Sequence, residues 1–351
     1  MKRDFLAVED QPRGWFESVL DLAARARRGE SPGGLAGKVL ALVFMDPSLR
    51  TRVSFETAMF LHGGHAVVLE PGRGSWTLET SPGAVMDADR TEHIIEAARV
   101  LGRYAHAVGV RSFPRAPSWA EAREDAVVRS FGRHCGVPVI NLESARRHPC
   151  QELADALTLR DRLGDPRGRR FVLCWTWHPK ALPTAVPASA ALAAARLGME
   201  VVIARPPEFA LDCEDMVLIE NTAAACGGSV RTEEALDEAL ADADVVYAKA
   251  WGSVSLFGRA EEEAAARQRH RHWKLTAARH RATRGGGATV MHCLPVRRNV
   301  EIDDALLDAP CSAVIDQAEN RLHVQRALLL DLIGDGCGAD PHPASSWRPS
   351  T

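Results

Sequence analysis

Short apolar runs alternate along the chain with longer stretches in which apolar residues recur every three or four positions. The runs Lys38–Met45, Ala66–Glu70, Ala107–Arg111, Val137–Leu142, Phe171–Thr176, Glu200–Ala204, Ser229–Arg231, Val245–Lys249, Thr289–Leu294 and Ala313–Asp316 predict strands. Several are almost continuously apolar, as parallel strands covered on both faces must be. Helical spacing marks Trp15–Arg28, Ser54–His62, Glu92–Tyr104, Trp119–Gly136, Gln151–Leu163, Ala185–Leu197, Glu214–Cys226, Glu233–Ala241 and Ala318–Ile333. Such alternation predicts an α/β fold of two doubly wound parallel-sheet domains. Ligands of such sheets bind beyond the carboxyl ends of the strands, which puts the expected active site in the cleft between the two domains.

The 351 residues are long for one core. The charged, Gly- and Pro-containing stretch DRLGDPRGRR reads as a crossing between halves. The expected division is 1–147, 148–317, a helix over 318–335 returning to the first domain, and a disordered Pro/Gly/Ser-rich tail over 336–351. A net charge of −3 leaves no nucleic-acid footprint. No apolar run approaches the roughly 20 residues of a membrane span. The start, MKRDFLAVEDQ, lacks the apolar core of a secretion signal, so a cytoplasmic protein is expected.

Eight cysteines without a CxxC pair read as reduced thiols, not as a disulfide framework or a zinc site. The group His270, His272 and Trp273 and the run Glu261 to Arg271 read as a solvated helix face, and no metal or cofactor is expected. Asp87 and Asp89 precede a helix and read as N-caps. Trp175 and Trp177 alternate onto one strand face and read as core. No GxGxxG follows a strand and no GxxxxGK[ST] occurs, which counts against a dinucleotide oxidoreductase or a P-loop kinase.

The chemistry-bearing residues gather at strand ends. Ser48-Leu49-Arg50-Thr51-Arg52 follows one strand and precedes a helix. Helix-start amides, hydroxyls and guanidinium forks together suit a phosphate. Arg111 ends a second strand. Glu143 ends a third, shortly before His148-Pro149-Cys150-Gln151. His292-Cys293-Leu294-Pro295 ends another, followed by Arg297 and Arg298. Gln151 falls on the helical face below His148. Lys249 ends an apolar strand, where a charge needs a partner. His292 and Cys293 are adjacent on a strand and point to opposite faces, which argues against a Cys-His nucleophile.

In this order and at these spacings, SLRTR, HPCQ and HCLPVRRN resemble the aspartate and ornithine carbamoyltransferases, over about Leu35 to Leu330. The segments GGHAVVLEPG, EHIIEAARVLGRY, HPCQELADAL, VVYAKAWG and AENRLHVQ look most like the N-acetylornithine branch. The resemblance implies transfer of the carbamoyl group of carbamoyl phosphate to the δ-amino group of an N-acylated ornithine. It implies a carbamoyl-phosphate domain first and an acceptor domain second.

By resemblance, carbamoyl phosphate is held by Ser48, Leu49, Arg50, Thr51, Trp76, Arg111, His148, Pro149, Cys150, Gln151, Cys293, Leu294 and Arg321. Arg111, His148, Thr51 and Cys293 carry catalysis. Glu143, Lys249, Arg297, Thr91, Cys293 and Leu294 bind the acylornithine. Trp76 matches a tryptophan given to a neighbouring subunit's site, and the family is a homotrimer.

Two positions depart from the pattern. Glu301 stands where the N-acetylornithine branch has a carboxylated lysine, so the same negative charge sits on a shorter stem. Thr91 stands where glutamate accompanies acetylornithine and proline accompanies succinylornithine. Acetylornithine is the expected acceptor, with succinylornithine as the alternative. A binding subunit that has lost activity would be expected to lack some of Arg50, Thr51, Arg111, His148, Gln151 and Arg321. All are present.

Overall fold

The computed structural model describes residues 2–30 and 33–335. The expected disordered tail, 336–351, lies outside the described residues. The described residues divide into two compact units. Within the described residues, the first draws on 2–30, 33–114, 124–150 and 321–335, and the second on Arg115–Arg123 and Gln151–Asn320.

Four parallel strands form the sheet of the first unit, in the order His65–Leu69, Val39–Phe44, Ala107–Arg111, Val139–Glu143. The chain starts at Val39–Phe44, adds one strand on one side and the next two on the other. The winding therefore reverses between Val39–Phe44 and Ala107–Arg111, with Phe44 in register with Arg111. Five parallel strands form the second sheet, in the order Thr289–Met291, Val245–Lys249, Arg170–Trp175, Glu200–Ala204, Ser229–Glu233. There the reversal lies between Arg170–Trp175 and Val245–Lys249, with Lys249 in register with Trp175. Both units are doubly wound parallel sheets, as the apolar runs predict. Each reversal opens a crevice at the strand ends, which is where such sheets bind ligands.

The first core packs Val43, Val108 and Val110 of the sheet against Ile94, Ala98 and Phe131 of its helices. In the second unit every residue from Ala185 to Ala195 is buried, because that helix is apolar all round and carries small side chains. It ends on a glycine. Met199 N–H returns to the Ala194 carbonyl and Gly198 N–H to that of Ala195, with Gly198 at φ 69°. A Cβ there would sit 2.7 Å from the Cys226 carbonyl oxygen. Gly198→Ala is expected to cost about 2 kcal/mol or more, from left-handed strain plus that clash. Denaturant unfolding checks it, and a change within about 0.5 kcal/mol would refute the strain.

Several elements differ from the sequence pattern. The helix expected from Ser54 begins at Leu49, because the Ser48 side chain accepts the Thr51 N–H at 3.3 Å and caps it. The phosphate-type motif is thus the first helical turn, not a loop before it. The expected helix Trp119–Gly136 is two, Trp119–Ala122 and Ala126–His134. They part at Asp125, which has φ 50° and a carboxylate accepting from Ser144 Oγ and Ala145 N–H. Ala313–Asp316 is no strand; the helix Val314–Ile333 absorbs it, an ambiguity that so short an apolar run cannot resolve. Neither Asp87 nor Asp89 caps a helix. His93 does, its Nδ1 accepting from Ile95 N–H. The Ala260–Gln268 helix is not wholly solvated, since Glu263 and Arg267 are buried as an ion pair one turn apart. Trp175 is core, whereas Trp177 is half-buried under the Arg271 guanidinium.

Candidate active site

The first unit holds six predicted residues at or near the winding reversal. Thr51 is 1% exposed, and its hydroxyl accepts from Arg321 Nη2 at 2.9 Å. Arg111 ends its strand in an ion pair with Glu143, and its guanidinium lies 4.6 Å over the Phe113 ring. His148 is buried, with Nε2 3.5 Å from the Glu143 carboxylate. Arg50 is half-buried in the first turn of Leu49–Leu61.

The charge balance sets the state of His148. Burial, then the positive charges of Arg321, Arg111 and Arg50, hold its pKa well below the ordinary 6.5. The ring is therefore neutral at physiological pH. The charges of all three arginines thus act on the one ring. Burial weighs on Arg321 as well and lowers its pKa, against the pull of Cys150 and Glu143. Burial pushes the Cys150 thiol up to about 12, so it is no nucleophile.

Pro149 occupies the first position of the helix Pro149–Leu163, where a missing N–H costs nothing. Glu143 was expected among the acceptor residues. Its carboxylate pairs with Arg111 and His148. Leu49 is exposed. Trp76 and Thr91 are exposed too, and they share one region: Trp76 Nε1 donates to Glu92 Oε2 at 2.7 Å, next to Thr91. Arg52 pairs outward with Glu56 and Glu70.

A second cluster lies in the second unit. Glu301 is 1% exposed. One oxygen lies 3.3 Å from His292 Nε2 and 3.4 Å from Thr176 Oγ1, and the other accepts the Arg297 N–H at 2.9 Å. Burial alone would raise its pKa. The His292 contact, the Lys249 charge and the Arg297 amide outweigh it and hold the carboxyl at about 2. His292 Nδ1 accepts the Leu294 N–H at 2.9 Å, so its proton sits on Nε2, facing Glu301. This explains why the strand stops at Met291, short of the expected Leu294. The His292 ring turns the Leu294 amide out of the ladder and holds Leu294 at φ 58°. Lys249 is buried with Nζ on the Ala250 carbonyl. Arg297 Nε donates to His178 Nε2 at 2.8 Å, so the remaining proton of His178 sits on Nδ1, 2.8 Å from the Lys180 carbonyl. Cys293 is partly exposed. Among the described residues, no group of His, Cys, Asp or Glu could hold a metal ion. No described helix is long and apolar enough to cross a membrane.

A family model for the carbamoyl-P binding domain of aspartate/ornithine carbamoyltransferase matches residues 3–161, and one for its Asp/Orn binding domain matches residues 182–332. The chain belongs to the aspartate/ornithine carbamoyltransferases. An N-acetylornithine carbamoyltransferase of Xanthomonas campestris pv. campestris is 46% identical over 335 residues, covering 95% of this chain and 98% of its own length. A crystal structure of acetylornithine transcarbamylase complexed with acetylcitrulline superposes with a TM-score of 0.91 at 46% identity, covering 95% of this chain and 99% of that one. So does a variant of N-acetyl-L-ornithine transcarbamylase with one glutamate replaced by alanine, complexed with carbamyl phosphate and N-succinyl-L-norvaline. Its TM-score is 0.91 at 46% identity, covering 94% of this chain and 100% of that one.

In this carbamoyltransferase the motif residues were legible as motifs, but their supports were not. His292 carries no charge signal of its own, and its role as a bridge from Glu301 to Leu294 needs the folded loop. Asp155, Tyr247 and Gln317 carry no motif of their own in the sequence. Only Asp155 had a sequence cue, lying four residues after Gln151 on the same helical face.

Proposed function

We propose that the chain transfers the carbamoyl group of carbamoyl phosphate to the δ-amino group of N2-acetyl-L-ornithine, giving N-acetyl-L-citrulline and phosphate in arginine biosynthesis. The reading includes a cytoplasmic homotrimer in which Trp76 reaches a neighbouring subunit's site. The observation that carries it is that Arg111 and a neutral His148 meet on the Glu143 carboxylate, while Arg321 is bound to Thr51 in the first turn of the Leu49–Leu61 helix. Positive charge at a helix start suits the phosphate, and a neutral imidazole suits a carbonyl oxygen.

Ser48, Leu49, Arg50 and Thr51 cradle the phosphate, and Arg321, tied to Thr51, covers it. Arg111 and His148 donate to the carbonyl oxygen, with Thr51 assisting, and stabilise the oxyanion of the tetrahedral intermediate. Glu143 holds the Arg111 fork in place. Arg111 Nε is buried without a hydrogen-bond partner among the described residues, a donor that a substrate oxygen would satisfy. A neutral His148 polarises without giving up its proton. The amine attacks the carbonyl carbon, the C–O bond to phosphate breaks, and the departing phosphate takes the amine proton. Cys293 and the Leu294 carbonyl sit beside the amine, Gln151 holds the carbamoyl NH2 group, and Pro149 and Cys150 shape the helix start. Lys249 and Arg297 bind the acceptor's carboxylate and acyl group. Glu301 replaces the carboxylated lysine, keeping His292 and Arg297 paired.

A citrulline colour assay with acetylornithine, succinylornithine and ornithine tests the reading. The expected kcat/KM is highest for acetylornithine by about tenfold. No product from any acceptor sinks the transfer itself. A preference for succinylornithine sinks the acceptor assignment. That second reading is favoured by Thr91, which offers no carboxylate to repel a succinyl group. Thr91→Glu is accordingly expected to lower kcat/KM for succinylornithine by about tenfold and to leave acetylornithine near the parent value. Equal losses on both acceptors would remove Thr91 from acyl selection.

A further inference from the structure

Past the HPCQ run, one buried carboxylate of the same helix collects donors from three elements. Asp155 is fully buried one turn after Gln151 on Pro149–Leu163, and Gln151 Nε2 donates to its Oδ1 at 2.7 Å. Gln317 Nε2, from Val314–Ile333, donates to the same oxygen at 2.6 Å and to Tyr247 Oη at 3.1 Å. The Tyr247 hydroxyl, from Val245–Lys249, also hydrogen-bonds Asp155. Gln317 Oε1 in turn accepts the His292 N–H at 3.0 Å, next to Cys293.

A carboxylate in such a site accepts and does not donate. Each glutamine that touches it must turn its NH2 group inward. For Gln317 this directs Oε1 to His292. For Gln151 it leaves Oε1, not Nε2, as the end facing away from Asp155. A carbamoyl NH2 group offers donors only, since its nitrogen lone pair is delocalised into the carbonyl. A flipped Gln151 would set NH2 against NH2, losing one hydrogen bond and adding repulsion.

We propose that Asp155 is a positioning residue that locks the Gln151 amide so that its oxygen is presented to the carbamoyl NH2 group. The inference rests on the assignment of Gln151 to carbamoyl phosphate made above. It identifies a device for choosing a carbamoyl over an acyl phosphate with a methyl in the same place.

Asp155→Leu keeps the volume and removes the acceptor that the two glutamines share, so the Gln151 amide is no longer locked. The expected loss in kcat/KM for carbamoyl phosphate is about 30-fold, the scale of one misaligned buried hydrogen bond. Asp155→Asn keeps an oxygen on both glutamines, because Gln317, set by the His292 N–H, holds it there, and it should stay within about threefold of the parent. Gln151→Met removes the amide that Asp155 orients, so adding Asp155→Leu to it should cost no more than about threefold further. If Asp155→Leu does not fold, Asp155→Ala carries the same comparison. A general structural role would lower stability and activity equally in both backgrounds. The proposal is overturned if the Asp155 variant that lacks the acceptor stays within about threefold of the parent, or if it costs as much in Gln151→Met as in the parent. An inactive parent enzyme would instead overturn the reaction, a result the same assays separate.

Discussion

His148→Ala is expected to lower kcat by about 10²- to 10³-fold, the usual effect of removing one oxyanion donor. The ring is buried, with Nε2 3.5 Å from the Glu143 carboxylate, and is neutral. The protein should remain folded, since the ring is neutral and its loss strands no buried charge. Circular dichroism and the unfolding midpoint check this beside the citrulline assay. A kcat within about threefold of the parent would remove His148 from the reacting centre.

The neutral state of His148 has a further consequence for pH. In the unfolded chain His148 protonates near its ordinary 6.5, while in the fold it stays neutral to lower pH. As pH falls below that value the unfolded state binds more protons. The stability tied to His148 is therefore fully present above about 6.5 and declines as pH falls toward its folded pKa. Activity should show no His148 limb centred near 6.5. A limb there that vanishes in His148→Asn would mean that the imidazolium forms in the folded protein.

Glu301→Ala is expected to be the most destabilising of the site substitutions and to raise KM for the acceptor while lowering kcat. It strips acceptors from His292 Nε2–H and the Arg297 N–H and takes the countercharge from Lys249. Each orphaned buried donor costs about 1–3 kcal/mol. The same contacts move the carboxyl from 4.5 to about 2, which corresponds to about 3 kcal/mol of stability at neutral pH. The expected loss is about 3–5 kcal/mol. Because the folded pKa is depressed, this contribution is present above the unfolded value of 4.5 and is lost as pH falls toward about 2.

The catalytic effect of Glu301→Ala runs through His292. Without Glu301 nothing holds the Nε2–H tautomer, so Nδ1 no longer reliably accepts the Leu294 N–H. Leu294 would then relax from φ 58° and carry its carbonyl away from the amine position. Glu301→Gln keeps one acceptor and should lose less on both counts. A Glu301→Ala protein with parental kcat and unfolding midpoint would contradict both the electrostatic and the positioning roles.

How much of this was legible beforehand depended on the range of the interaction concerned. Runs of apolar residues and their helical intervals are local, and they determined the parallel sheets and their double winding. Three motifs at strand ends were likewise local, so the sequence by itself placed Ser48 to Thr51, Arg111, His148 to Gln151 and His292 to Leu294 at carboxyl ends, with a family resemblance attached. The start of the Leu49–Leu61 helix was misplaced because one hydroxyl on Ser48, not hydrophobic periodicity, decides it.

Only the tertiary structure decided who partners whom. Arg321 meets Thr51 across 270 positions, Glu143 turns to Arg111 and His148, and Asp155 gathers glutamines from two helices and a tyrosine from a strand. Charge states and amide orientations follow from these long-range contacts, because burial and neighbouring charge act through space and not along the chain.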